Sequence, residues 1–245
     1  MPCARCWGRC DAQPPAAFRR TEHRTDQRTD QRAEGEDVKA RALTVEGAIE
    51  FTPRVFPDDR GRFVSPYQER AFTEAHGAPL FPVAQTNHSV SRRGVVRGIH
   101  YTVTPPGTAK YVHCSRGSAL DIVVDIRVGS PTFGRWDAVL MDQNDHRASF
   151  IPVGVGHAFV ALEDDTVMSY MLSECYAAEN ELSLSVLDPA LALPITTDTE
   201  PVLSERDRAA ITLAEAQRQG LLPDYARCRQ IERGLAPERP ARPVR

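Results

Sequence analysis

Long apolar runs are missing from this sequence. No stretch of its 245 residues approaches the roughly 20 apolar residues that a membrane-crossing helix needs, which excludes a helical span. The opening Met1-Pro2-Cys3-Ala4-Arg5 lacks the apolar core, about 7–15 residues long, of a secretory leader, so a cytoplasmic protein is expected. Excess charge of one sign is also missing: the formal net charge is −3, no footprint for a nucleic-acid partner. Neither a glycine-rich phosphate loop nor a Gly-x-Ser-x-Gly elbow occurs, so nothing points to a nucleotide-hydrolysing or serine-hydrolase site. The scarcest charged residue is lysine. Of the 30 basic residues only two, Lys39 and Lys110, are lysines and the rest are arginines.

What is present suffices for a core, with 41% hydrophobic residues. Its distribution is uneven. The first 42 residues are poor in apolar side chains, hold Cys3, Cys6 and Cys10, and repeat Arg24-Thr25-Asp26-Gln27-Arg28-Thr29-Asp30-Gln31-Arg32. Such a stretch cannot bury enough surface to offset its ordering entropy, and residues 1–42 are expected to form a disordered extension. The cysteine spacing lacks the fourth ligand of a metal finger. Residues 226–245, with six Arg and three Pro, read as a flexible basic tail.

Between them the chain has the period of β structure. Over Ser118–Val128, Leu120, Ile122, Val124, Ile126 and Val128 alternate with Ala119, Asp121, Val123, Asp125 and Arg127, as in a half-buried strand. Strand-like runs also occur at Ala48–Phe51, Pro82–Ser89, Val95–Tyr101, Ala109–Cys114, Trp136–Met141, Ser149–Pro152 and Thr166–Leu172, separated by turn clusters such as Asp58-Asp59-Arg60-Gly61. Many short strands at this spacing predict a sandwich or barrel over residues 43–200. A short helix is expected at Gln68–Ala75. A second, from Ser204 to Gly220 with Ser204 and Asp207 spaced as a capping box, would form a C-terminal helical segment over 201–225. The free cysteines Cys114, Cys175 and Cys228 show no pairing pattern.

Polar residues recur inside the strand-like runs. Gln85, Asn87 and Ser89 share one parity; Arg97 and His100 flank Gly98-Ile99; His113, Tyr170 and Tyr176 stand in other apolar stretches. Left unpaired, buried polar groups cost ~1–3 kcal/mol each, so together they point to a polar cavity. Each also has a structural reading: Asp207 as a helix cap, Tyr170 as core, His157 bonded to a neighbouring carbonyl. Lys110 is different. In a chain that uses arginine almost wherever a cation would serve, one lysine inside a strand points to a compact ammonium that a planar guanidinium could not replace.

Ile151-Pro152-Val153-Gly154-Val155-Gly156-His157-Ala158-Phe159 resembles the second motif of cupins, which implies a mainly β fold, the double-stranded β-helix or jelly roll, with a helical C-terminal segment. Metal-binding cupins also carry a His-x-His pair; His100-Tyr101-Thr102 offers one imidazole, short of the three protein ligands usual at a catalytic zinc. Neither a metal nor another cofactor is expected.

A closer resemblance rests on an ordered set: Asp59-Arg60-Gly61-x-Phe63, Gln85-x-Asn87-x-Ser89-x-Ser91, Arg97-Gly98-Ile99-His100, Lys110, Asp125-Ile126-Arg127, Ser130-Pro131-Thr132-Phe133-Gly134, Pro152-x-Gly-x-Gly-His157, Asp188-Pro189 and Leu203-Ser204-x-x-Asp207. Over about residues 45–215 the chain resembles the dTDP-4-dehydrorhamnose 3,5-epimerases, metal-independent cupins that epimerise nucleotide-linked 4-keto-6-deoxysugars. Gly94–Lys110 and the tail helix look most like the branch found in antibiotic deoxysugar clusters. The resemblance implies His100 as base, Asp207 as its orienting carboxylate, Tyr170 as proton donor, Tyr176 as a second active-site tyrosine one strand position further along, and Lys110 as oxyanion stabiliser. It implies that Arg60, Gln85, Asn87, Arg97, His157 and Glu181 hold the sugar and diphosphate. It also implies a dTDP-linked keto-deoxyhexose as partner, and a homodimer exchanging strands. The natural chain is expected to start at Val38, read as Met from a GTG codon. Departures from the family pattern, Ser65 beside Pro66, Val186-Leu187 and Leu193-Pro194, leave open which sugar is used and how many centres are inverted. A 3-epimerase, a ketoisomerase acting on a related, 3-amino, sugar, and a non-catalytic sugar-binding module are the alternatives.

Overall fold

The computed structural model describes residues 38–195 and 200–235. The expectations for the amino-terminal cysteines, the Arg-Thr-Asp-Gln repeat and the last ten residues lie outside the described residues. Thirteen strands run in chain order: β1 (Val38–Ala42), β2 (Ile49–Pro53), β3 (Val55–Asp58), β4 (Gly61–Val64), β5 (Gln85–Ser91), β6 (Val96–Thr102), β7 (Lys110–Arg116), β8 (Ser118–Val124), β9 (Trp136–Asp142), β10 (Ala148–Ile151), β11 (Gly156–Ala161), β12 (Thr166–Leu172) and β13 (Glu181–Ser183). Helix α1 (Glu69–His76) follows β4, and α2 (Glu205–Arg208), α3 (Leu213–Arg218) and α4 (Tyr225–Leu235) follow β13 among the described residues.

The strands form two antiparallel sheets. One has the order β1-β2-β10-β7-β12-β5, the other β13-β6-β11-β8-β9, and β3 and β4 pair as a separate hairpin. Apart from β1–β2 and β8–β9, neighbours in each sheet are distant in sequence, as in a jelly roll. Val112, Cys114 and Met168 of the first sheet meet Ala119, Val123, Met141 and Phe159 of the second in one buried cluster. The outer faces are covered too. Leu184 and Val186, just after β13, and Leu203 and Ala216 of the C-terminal segment pack on Ile122, Val124, Ala158 and Val160. Phe72 of α1 and Cys228 of α4 pack on Phe51, Tyr111 and Phe150.

This covering overturns the expectation of a half-buried strand over Ser118–Val128. Both faces of β8 are inside, so its more polar parity, Ala119, Asp121 and Val123, faces the interior between the sheets and not solvent. The strand also stops early, at Val124. The Asp125 carboxylate accepts from the backbone N, Nε and Nη2 of Arg127 (3.1, 2.9 and 2.9 Å) and from Ser130 and Thr132, while Arg127 Nη2 also donates to the Glu46 carbonyl at 2.8 Å. Both charged side chains are fully buried. Burial pushes the Asp125 carboxyl up, but Arg127, Ser130 and Thr132 more than offset this and hold it below the usual carboxylate range.

Three further boundaries shift. Val38–Ala42, assigned by composition to the extension, is the edge strand β1, paired along its length with β2. Tyr225–Leu235, assigned almost wholly to the basic tail, is helix α4: Arg127 lies 5.1 Å over the Tyr225 ring and Glu232 accepts from the Val153 amide at 2.9 Å. The single helix expected from Ser204 to Gly220 is two, because the chain pairs with Leu184 at Ile211 and restarts at Thr212, where the reciprocal capping box is Thr212–Glu215.

Candidate active site

The two sheets enclose a cavity of about 170 Å3 whose lining includes Asn87, Arg97, His100, Lys110, His157, Tyr170, Tyr176 and Glu181. Register explains how they converge. On β12, Tyr170 is opposite Asn87 of β5, and Leu172 is opposite Lys110 of β7. In the other sheet His157 of β11 is opposite His100 of β6. Arg97 and His100 have opposite parity, so a regular strand would send them to opposite faces. Between the His157–His100 and Phe159–Arg97 pairs, however, β6 carries one residue more than β11; this bulge turns both inward. Gly98 makes it possible, with φ of 130° and a position where a Cβ would lie 2.4 Å from that of Ala158.

Two imidazole–carboxylate pairs occupy the cavity wall. His100 Nε2 is 2.7 Å from Asp207 Oδ1, and His157 Nε2 is 2.6 Å from Asp121 Oδ1. Asp207 resembles a capping residue by position, yet the cap is Ser204, whose hydroxyl accepts from the Asp207 amide at 3.1 Å; the Asp207 side chain turns to His100 instead of back to the helix end. Ser183 donates to the same carboxylate at 3.3 Å, and Arg206 donates to Ser183 at 2.7 Å. Burial raises the Asp207 pKa, but the His100 hydrogen bond and charge, with Ser204 and Ser183, outweigh it and hold the carboxyl below its ordinary range. Among the described residues His157 bonds a carboxylate and no carbonyl.

Burial pushes the Lys110 ammonium below the ordinary lysine range, partly opposed by the carboxylates of Glu181 and Asp121. Glu181 accepts from Thr102 at 2.7 Å. Tyr170 packs against the central apolar cluster and also faces the cavity, its hydroxyl 3.5 Å from Ser89 Oγ; burial drives its pKa well upward. Gln85 stands just behind the lining, donating to Asn87 at 2.7 Å and accepting from the Tyr176 amide at 2.9 Å.

Three placements differ from expectation. Arg60 is not at this cavity: it sits at the turn of the β3–β4 hairpin, side chain 89% exposed and paired with Asp58. Tyr176 is not on a strand. It follows β12 in a loop and is 58% exposed. His113 points to the opposite face of its sheet from Lys110 and Val112, toward His88 and His146, and burial lowers its pKa to about 4. Residues that sequence reasoning passed over include Thr108, Glu174 and Cys175 in the lining, and Asp121, Ser183 and Arg206 behind it. Only Asp121 left a trace, as a carboxylate within an apolar strand.

Fold and site define a jelly-roll protein with a polar, acid–base-equipped cavity between its sheets. The sequence profile described as dTDP-4-dehydrorhamnose 3,5-epimerase matches residues 42–215. A Streptomyces griseus protein named dTDP-4-dehydrorhamnose 3,5-epimerase is 49% identical over 195 residues, 80% of this chain and 96% of that one. The crystal structure of a 4-keto-6-deoxy sugar epimerase from the novobiocin cluster of Streptomyces spheroides superposes with a TM-score of 0.75 at 47% identity, covering 79% of this chain and 96% of that one. A 3'-monoepimerase from Streptomyces bikiniensis, solved with dTDP-quinovose, gives 0.75 at 46% identity over 79% and 98%. The chain belongs to the dTDP-4-dehydrorhamnose 3,5-epimerase family, and it is an enzyme of the isomerase class.

Proposed function

We propose that this enzyme inverts C5, or C3 and C5, of a dTDP-4-keto-6-deoxyhexose in the making of an antibiotic deoxysugar. The observation that carries the reading is the His100–Asp207 pair facing Tyr170 and Lys110 across one cavity. The 4-ketone acidifies its neighbouring C–H bonds. His100 takes the proton, and the electron pair moves onto the ketone oxygen as an enolate beside the Lys110 ammonium. The Tyr170 hydroxyl then gives its proton to the opposite face of the same carbon. Solvent restores Tyr170 and removes the proton from His100. Asp207 fixes the ring so that Nδ1 meets the substrate, and it stabilises the imidazolium. Asn87, Arg97, His157 and Glu181, with Gln85 behind them and Tyr176 at the rim, hold the sugar and diphosphate; Arg97 suits two-point contact with phosphate.

The reading includes a cytoplasmic homodimer. Arg60 and the exposed Phe63 stand on a hairpin removed from this chain's own cavity, an arrangement that suits an arm reaching a second copy. Cys114, Cys175 and Cys228 are free thiols, and among the described residues no helix is long and apolar enough to cross a membrane. Inversion at C3 alone is a second reading, favoured by the similarity to the S. bikiniensis 3'-monoepimerase.

The test is incubation of several dTDP-4-keto-6-deoxyhexoses with the enzyme in D2O, with the product identified by NMR. Deuterium is expected at the inverted carbons, and His100→Ala is expected to remove it. Full exchange by His100→Ala would overturn the assignment of the base, and label at C3 alone would establish the second reading.

A further inference from the structure

The second imidazole–carboxylate pair raises a question that the first does not. Asp121 lies in the middle of β8, 1% exposed, and its Oδ2 has no hydrogen-bond partner among the described residues. A carboxylate buried with an unmatched oxygen is unfavourable for folding, and an apolar residue would fill the position between Ala119 and Val123 better. Its one bond is to His157 Nε2. That bond fixes the ring plane and keeps a proton on Nε2. The far side of the same ring then meets Tyr170, edge to face, with centroids 6.2 Å apart and planes at 73°. The ring also packs on the central apolar cluster, but among the described residues its hydroxyl reaches only Ser89, at 3.5 Å.

We infer that Asp121 is a positioning residue that acts through His157, locking the imidazole against the Tyr170 ring so that the phenol is aimed at the face of the sugar opposite His100. The chain Asp121–His157–Tyr170 runs from β8 through β11 to the other sheet at β12. It is separate from the support of His100, which comes through Asp207 and Arg206 of α2 in the C-terminal segment and Ser183 of the edge strand β13. Proton removal and proton return are therefore held by different scaffolds. This role rests on the proposed function.

Separate scaffolds make a separable prediction. In Asp121→Asn, His100 still removes the substrate proton, but with the phenol misdirected the enolate is more often reprotonated from the side it came from. In D2O, deuterium should enter unepimerised substrate, and the ratio of exchange to inversion should rise at least tenfold over the unmodified enzyme, on the scale of a reacting group displaced by a fraction of an ångström. KM should change less than the rate of inversion. His157→Asn, which removes the ring itself, should raise the ratio in the same direction and decides the matter if Asp121→Asn fails to fold by circular dichroism. Exchange and inversion falling in parallel, or an unchanged ratio, would overturn the positioning role. An unmodified enzyme that neither exchanges nor inverts any dTDP-4-keto-6-deoxyhexose would instead overturn the proposed function.

Discussion

The two histidine–carboxylate pairs are adjacent in register, use the same ring nitrogen and have nearly equal lengths, 2.7 and 2.6 Å, yet they are built differently. Asp121 belongs to the sheet that carries its histidine, and among the described residues its second oxygen has no hydrogen-bond partner. Asp207 arrives 107 residues after His100, on a four-residue helix of the segment that covers the second sheet, and it is fully supported. Two similar contacts can therefore depend on different parts of the chain. The His100 pair needs the C-terminal segment, docked by Leu203 and Ala216 in the cluster that also holds Leu184 and Val186, whereas the His157 pair needs only the jelly roll.

The sharpest way to break the comparison is Asp207→Asn. Loss of the carboxylate removes both the tautomer control and the charge stabilisation of the base, and inversion is expected to fall about 10³-fold. Exchange should fall with it, because proton removal is the step affected, in contrast to the divergence expected for Asp121→Asn. Deuterium incorporation by NMR checks this; exchange that survives while inversion is lost would place Asp207 on the wrong side of the comparison.

Lys110 lines the same cavity from the other sheet, opposite Leu172 and within the field of Glu181 and Asp121. Lys110→Arg keeps the charge but replaces a point donor with a wide planar fork, so the rate should drop about 10²-fold, near the value of one lost oxyanion donor. Burial lowers the Lys110 pKa, so the activity of the unmodified enzyme should decline at alkaline pH below the ordinary lysine value of about 10.4. That decline should be absent in the arginine variant. An identical alkaline limb in both would remove Lys110 from the reaction.

The same contrast explains what could be read in the sequence. The strand-like runs locate β12 to the residue, Thr166–Leu172, and β2, β5, β6, β7, β9 and β10 within a few positions, but they include none at β1, β3, β4, β11 or β13. Alternation fails on β8, where both faces are covered and the more polar parity is the interior one. It also fails on β6, where a bulge defeats parity and brings Arg97 and His100 to one side. Most of the cavity lining is visible through resemblance, but the supports are not. Ser183 and Arg206 have no local signature, and Asp121 shows only as a carboxylate within an apolar strand: their roles come from contacts across long sequence separations. Asp207 shows the limit most plainly, since its position spells a helix cap and its side chain does something else. Helix α4 is hidden by composition, since its arginines look like tail, while its contacts with Arg127 and Val153 and the burial of Cys228 show it packed.

The smallest expected effect is in acid, and its sign follows from the Asp207 environment. A carboxyl held below its ordinary pKa in the folded state contributes stability that is present above the unfolded value, about 3.9, and is lost as the pH falls through the folded one. The contribution should therefore be intact at neutral pH, where the hydrogen bonds from His100, Ser204 and Ser183 all meet the ionised form. Thermal melts of the unmodified enzyme and of Asp207→Asn should differ by a few degrees at pH 7, the scale of about 1 kcal/mol for a domain of this size. The gap should persist to about pH 4 and close below it. A gap of equal size at pH 7 and pH 3 would mean that Asp207 stabilises the fold by shape alone, and the docking of the C-terminal segment would then be independent of the charge that supports the base.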